Sequence, residues 1–368
     1  MPPRPHRPSA LAWQVFRGSD AIRRGLLTRH QLRGASWVRL CHDVYADARL
    51  DRDHALACRG AALRLPPGAV IAGPSAAYLH GVEHAAGFGD EVHVLTPPAV
   101  RIDSQRGIRV HSTGATGQPA ERLDGSYGTK GRDGKDGTKG RDRTTGRDGK
   151  DGTTGRDGTT NREGTDGRQG RDGRDGRPPA PGPPMSIPAL AVRTPPRSSP
   201  ALAAWETAAW LDQVRAVGIV DSLLGSGLTS RAALAEVAER HADRPGGRRA
   251  RRVFDLADPA AQSPPESHLR VRLVLAGLPR PVAQHPVRLS SGLLLHPDLA
   301  WPQFRVAVEY DGHWHADPDQ LHRDRRRLNQ LVAAGWVVLH VTSRRLRDDF
   351  PAVLREVRAA LAERGWRR

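Results

Sequence analysis

Apolar residues recur at helical spacing in some stretches of the chain and alternate with polar ones in others, and the two periods mark out its elements. Residues 13–24 carry Val15, Phe16, Ala21 and Ile22 and are predicted as an amphipathic helix. Thr28 reads as the N-cap of a second helix over 29–33, ended by Gly34. A third helix opens at 37–40, and Val44-Tyr45-Ala46 reads as a β-wing, so the front end has a winged-helix pattern. Helices follow over 51–64 and 74–81, and alternating strands over 91–96 and 107–111. Residues 201–243 are helical, with a turn at Gly225–Gly227. Then comes the run Arg248-Arg249-Ala250-Arg251-Arg252, which is either a solvated helix start or a phosphate-contacting patch.

Between these halves the periodicity fails. From 125 to 184 the chain is nearly free of apolar side chains and places glycine at every third position over long runs. A Gly-X-Y period admits a collagen-like triple helix, because only glycine fits its crowded axis. Proline is nearly absent until Pro178, however, and charges of both signs alternate, so the segment is expected to be a disordered, protease-sensitive linker that splits the protein in two. The expected organisation is therefore α+β and multidomain: 1–124, the linker 125–184, a helical connecting region 185–262, and a C-terminal α/β core 263–368.

Composition narrows the function classes. The 368 residues carry a formal charge of +17, and all but four of the 57 Lys+Arg are arginines. The four lysines, Lys130, Lys135, Lys139 and Lys150, all fall in the Gly-rich segment. Such a balance points to a polyanionic partner, DNA first. Arg29 and Arg33 in front, and Arg325, Arg326 and Arg327 at the back, are the candidate phosphate contacts. Two cysteines, Cys41 and Cys58, rule out a disulfide framework and a CxxC zinc site. With no apolar run near the ~20 residues of a membrane span and no signal-peptide pattern, a cytoplasmic location is expected.

The chemistry concentrates after residue 263. Pro264-Pro265-Glu266 opens a helix that Gly277 closes. Three strands are predicted over 282–289, 293–301 and 304–312, the last two joined in a hairpin at Pro302-Gln303. That hairpin sets Asp298 roughly opposite Val308 and Glu309, with Glu309 and Asp311 on the face away from Val306, Val308 and Tyr310. Carboxylates crowded at one end of an apolar sheet call for a cation, and hard oxygen ligands suit Mg²⁺ or Mn²⁺. A helix over 318–334 and a strand over 336–341 complete the order.

Two resemblances bear on these residues. The progression from Gly25 to Tyr45 resembles the N-terminal domain of AbiEi-type antitoxins. Glu266, Pro297-Asp298, Glu309-Tyr310-Asp311-Gly312, His315, Asp324, Arg327 and Gly335-Trp336 together resemble the DUF559 group, related to very-short-patch-repair endonucleases of the PD-(D/E)xK superfamily. This second resemblance implies a restriction-endonuclease-like core that hydrolyses phosphodiesters. Asp298 and Glu309 would hold the metal, with the Tyr310 carbonyl as a third ligand and Glu266 acting through the metal shell. Asp311 stands where that superfamily has lysine. A histidine then remains to orient or deprotonate water, and His313 and His315 are the candidates. The alternative is an antitoxin or repressor that keeps an inactive nuclease fold, with a cognate toxin operon as partner.

Overall fold

A computed structural model describes residues 6–97, 99, 106–112, 194–312 and 318–367, the side chains of 318–325 excepted. The Gly-rich segment 125–184 lies outside these residues, as do His313 and His315.

The front end corrects three helix expectations. Residues 13–17 do not enter a helix: Trp13 takes φ +60°, and strand β1 (Val15–Arg17) follows before a short helix α1 (Gly18–Arg23). Trp13 is held there because its N–H donates to Asp47 Oδ2 at 2.9 Å and Arg49 lies over its ring at 4.2 Å. The second helix shrinks to one 3₁₀ turn, Gln31–Arg33, closed by a reciprocal capping box between Thr28 and Gln31. The expected third helix is strand β2 (Trp37–Cys41), turned at His42-Asp43 into β3 (Val44–Asp47), the strand the sequence does show. Three antiparallel strands in the order β1-β3-β2 let Phe16 meet the Trp37 ring edge-on at 5.1 Å, a long-range contact that outweighs local helical spacing.

The next elements match expectation, α2 (His54–Ala62), α3 (Gly73–Leu79), β5 (Val92–Thr96) and β6 (Ile108–Ser112), with a short strand β4 (Val70–Ile71) added that the pattern does not show. Beyond the Gly-rich segment come α4 (Pro200–Trp210), α5 (Gln213–Gly225), α6 (Arg231–Arg240) and α7 (Gly247–Leu256). Ser199, Asp212 and Ser230 cap the first three of these, as their side chains accept from the first-turn N–H groups.

Elements from the two sides of the Gly-rich segment share one core. Ala77, Val82 and Ala85 pack with Trp205, Val217, Ile219 and Val253. Ile71 exchanges backbone hydrogen bonds with Pro196 and Ser198 at 2.8 and 2.9 Å, and the Arg215 guanidinium donates to the Ala85 carbonyl at 3.0 Å. The segment is thus inserted within one unit, Met1–Leu123 with Thr194–Arg368, rather than joining two separate bodies. Co-expressed as two chains, 1–123 and 194–368 should therefore co-purify as a 1:1 complex through a sizing column.

Glu206 seals this junction. It is fully buried on α4, accepting from the Gly73 N–H at 2.7 Å and the Ser198 hydroxyl at 3.0 Å. Burial raises its carboxyl from 4.5 to about 7. The folded state therefore keeps a proton that the unfolded chain gives up in that interval, so stability falls as pH rises through it. Glu206→Gln still accepts from the Gly73 N–H and can donate its amide N–H to the Ser198 Oγ, so it should flatten this part of the melting-temperature profile, measured between pH ~5 and ~8.

The C-terminal part builds on α8 (Pro264–Leu275) and the short strands β7 (Val282–Ala283), β8 (Val287–Arg288), β9 (Leu294–Leu295), β10 (Leu299–Trp301) and β11 (Val306–Asp311). Then follow α9 (Pro318–Ala333), β12 (Val337–Thr342), α10 (Ser343–Asp348) and α11 (Phe350–Glu363). The two long strands expected over 282–289 and 293–301 are each broken in two. Gln284 at φ +52° and Pro286 interrupt the first, while His296-Pro297 interrupts the second. The hairpin turn falls where expected, with Trp301 opposite Val306. A mixed sheet in the order β12-β11-β10-β7 results, with β11 and β12 parallel. One face packs on Leu269, Leu273, Leu346, Val353 and Leu361 from α8, α10 and α11; Ala300 and Ala307 on the other meet Leu331 of α9. With eleven α-helices among the described residues, the protein is mixed α/β.

Candidate functional site

The hairpin β10–β11 and the start of α8 bring together three of the carboxylates singled out in the sequence. Leu299 pairs with Val308, so Asp298 stands beside the strand bearing Glu309. Asp298 Oδ2 accepts from the Tyr310 N–H at 2.8 Å, and the Asp298 N–H in turn donates to the Glu309 carboxylate. Tyr310 itself enters the site through this N–H, while its ring packs into the core beneath.

Glu266 arrives from the first turn of α8. Ser263 and Glu266 form a capping box: Ser263 Oγ donates to Oε1 at 2.7 Å and accepts from the Glu266 N–H at 3.4 Å. The other carboxylate oxygen accepts from the Gln284 amide at 3.4 Å, and the same Nε2 donates to Asp298 Oδ1 at 3.2 Å. Gln284 thus bridges two acids from a left-handed backbone conformation that a residue with a Cβ adopts at a cost. That cost is offset by the bridge, since without it two carboxylates would face each other unscreened.

Electrostatics single out the strand pair. Burial pushes the Asp298 carboxyl up, and proximity to Glu266 adds to the shift. Burial and the neighbouring Asp298 push Glu309 to about 7. Arg327 of α9 offsets part of this, with a guanidinium nitrogen 3.3 Å from Glu309 Oε1 and a hydrogen bond to the His296 carbonyl. It faces the sheet and touches an acid. Arg326 beside it is exposed, and the Arg325 side chain lies outside the described residues. Arg29 and Arg33 are exposed on the front end.

Asp311, at the end of β11, is engaged by a residue the sequence reading missed. His340 on the parallel strand β12 is in register with Glu309, and its Nδ1 lies 3.1 Å from Asp311 Oδ2. That hydrogen bond raises the imidazole pKa, and the charges of Asp311, Glu309 and Asp298 act in the same direction. The signal for His340 lay in the strand Val337–Thr342, an apolar run with one titratable side chain. Its partner, however, is 29 residues away and reached only through the parallel register. Gln284 carries no such signal, since its role depends on a backbone turn.

The donor set suits a hard divalent cation. Among the described residues, no group of three or more His, Cys, Asp and Glu side chains is gathered to hold a metal ion. Asp298 and Glu309 offer two carboxylates, the number Mg²⁺ commonly takes while keeping water or substrate oxygens as its other ligands. Burial and the neighbouring carboxylates push both carboxyls up even with Arg327 beside them.

Comparison with known proteins gives little beyond this geometry. No family model matches the chain, and no solved structure does. Two uncharacterized proteins of Mycobacterium tuberculosis, one from each of two strains, are 33% identical to it over 145 residues, or 39% of this chain and 54% of theirs. The chain thus spans about half the length of these curated relatives. Among the described residues, no helix is long and apolar enough to cross a membrane.

Proposed function

We propose that the C-terminal part is a divalent-metal-dependent nuclease domain of the restriction-endonuclease-like kind, acting on DNA phosphodiesters. The observation that carries this reading is the pair Asp298 and Glu309: two half-buried carboxylates, one just before β10 and one on its antiparallel neighbour β11, both raised in pKa, with Glu266 directed at the same place. Mg²⁺ or Mn²⁺ held there would polarise the phosphodiester and acidify a bound water. Glu266 and Gln284 fix the orientation of Asp298. Arg327 supplies a cation at the edge of the site, where a scissile phosphate would sit. In place of the superfamily's lysine, His340 backed by Asp311 brings a nitrogen base to the side of the sheet that Glu309 faces.

The occupied lysine position favours a second reading. Asp311 is committed to His340, and all four lysines are remote in sequence from the site. A chain using this fold only to contact DNA, as an AbiEi-type antitoxin or repressor partnered with a toxin operon, would carry such a substitution without loss. Supercoiled plasmid incubated with the full chain, with Mn²⁺ or with chelator, separates the two. Metal-dependent conversion to open circles supports the nuclease, and DNA binding without conversion supports the repressor.

A further inference from the structure

Helix α7 carries Arg248, Arg249, Arg251 and Arg252, and all four are exposed. At ~100° per residue they occupy one arc of the helix, opposite the buried Ala250, Val253 and Phe254. This arrangement does nothing for folding. Arg248 and Arg252 are four apart, a repulsive pairing for like charges, and Arg248 and Arg249 sit in the first turn against the positive end of the helix dipole. That first turn contains no acidic residue, and among the described residues none of the four arginines has an ion-pair partner. Among the described residues, only the Arg249 side chain of the four makes a hydrogen bond, a 3.4 Å contact with the Ala209 carbonyl. Four adjacent, uncompensated guanidinium groups are therefore available to an external polyanion.

The helix is also fixed to the element that bears Glu266. At its C-terminal end the carbonyls of Asp255 and Leu256 accept from Arg280 and Arg270, and the Ala257 carbonyl just beyond accepts from Arg231 and Arg280. Arg270 lies on α8, one turn beyond Glu266, so the arginine arc and the carboxylate site belong to one rigid assembly.

We propose that the exposed arc of α7 is a phosphate-backbone contact surface for duplex DNA. Guanidinium groups bind phosphate oxygens through paired N–H donors, which suits an all-arginine set. The apolar face of α7 is consumed by the core, so nothing remains to insert into a lipid surface. The inference takes only the choice of polyanion from the proposed function; the arginine geometry stands independently of the carboxylates.

The test is fluorescence anisotropy of a labelled duplex of arbitrary sequence with the full chain, titrated in salt. The variants are R248Q/R249Q/R251Q/R252Q and a control, R23Q/R52Q/R347Q/R355Q, which removes the same charge from exposed sites elsewhere. Wild type should bind at low salt. The α7 variant should lose at least about tenfold in affinity and flatten the log–log salt slope by roughly 3.6, as expected for about four lost phosphate contacts. The control should change the slope by less than about 1, the value of one phosphate contact. Circular dichroism should be unchanged in both, because all the altered side chains are exposed. An α7 variant with the wild-type slope, a control that weakens binding equally, or a wild type that binds anionic vesicles but no duplex would each overturn the proposal. Asp298→Asn in the same assay keeps the two readings apart. If it binds DNA like wild type and the wild type never nicks, the carboxylate reading fails while the α7 surface stands.

Discussion

Asp298→Asn should cut plasmid nicking by at least about a thousandfold, since several kcal/mol of charge stabilisation is lost at 1.36 kcal/mol per factor of ten. Glu309→Gln should do the same. Neither variant should melt below the wild type in chelator. Both carboxyls are pushed up in pKa by burial, Asp298 further by Glu266 and Glu309 further by Asp298, so removing one charge relieves repulsion without removing a buttress. Asparagine's amide oxygen still accepts from the Tyr310 N–H, so the hairpin keeps its register and only the weaker bond from Gln284 is given up. Asp311→Asn should have the milder effect of a group acting through His340, within about a hundredfold on the scale of a lost proton-transfer aid. Its loss should also alter the pH dependence of nicking, which a purely structural role would leave unmoved.

The largest effect on stability is expected at Arg270. Its side chain and that of Asp221 are both wholly buried and joined at 2.6 Å between α8 and α5. Arg270 also donates to the Leu256 carbonyl at 2.5 Å, and Asp221 accepts from the Asp258 N–H at 2.7 Å. Arg270→Met leaves Asp221 buried and uncompensated, a change that costs about 3–5 kcal/mol. For a folded unit of this size that lowers the melting temperature by roughly 6–20 °C. The double variant Arg270→Met with Asp221→Leu should recover most of the loss, because replacing a buried pair by apolar groups is close to neutral. Nicking by the Arg270 variant should fall as well, since α8 carries Glu266 to the site. Scanning calorimetry of the two single variants and the double reads the cycle directly.

The parts of this site that were legible in the sequence are those set by local rules. Pro264-Pro265 and Gly277 bracket α8 and set Glu266 in its first turn, and the tight turn after Trp301 sets Asp298 beside Glu309. Each depends on residues a few positions apart. The parts that were not legible depend on distance. Residues 37–40 have helix-compatible spacing, yet they pair with β3 because Phe16 and Tyr45 supply an aromatic partner surface. His340 reaches Asp311 only through parallel pairing, whose register no short-range pattern specifies. The same holds for the shared core. Nothing near Glu206 in sequence shows that it will accept from the Gly73 N–H, 133 positions away.

The central claim, that Asp298 and Glu309 hold a divalent cation, is tested most directly by melting the full chain in Mn²⁺ and in chelator. With Mn²⁺ at about a hundredfold over its Kd, the folded state gains ~2.7 kcal/mol, which at this size is a rise of roughly 5–11 °C. The wild type should show that rise, and Asp298→Asn with Glu309→Gln should show none. A wild type whose melting temperature is the same with and without Mn²⁺, or a double variant that rises as far as the wild type, would contradict it.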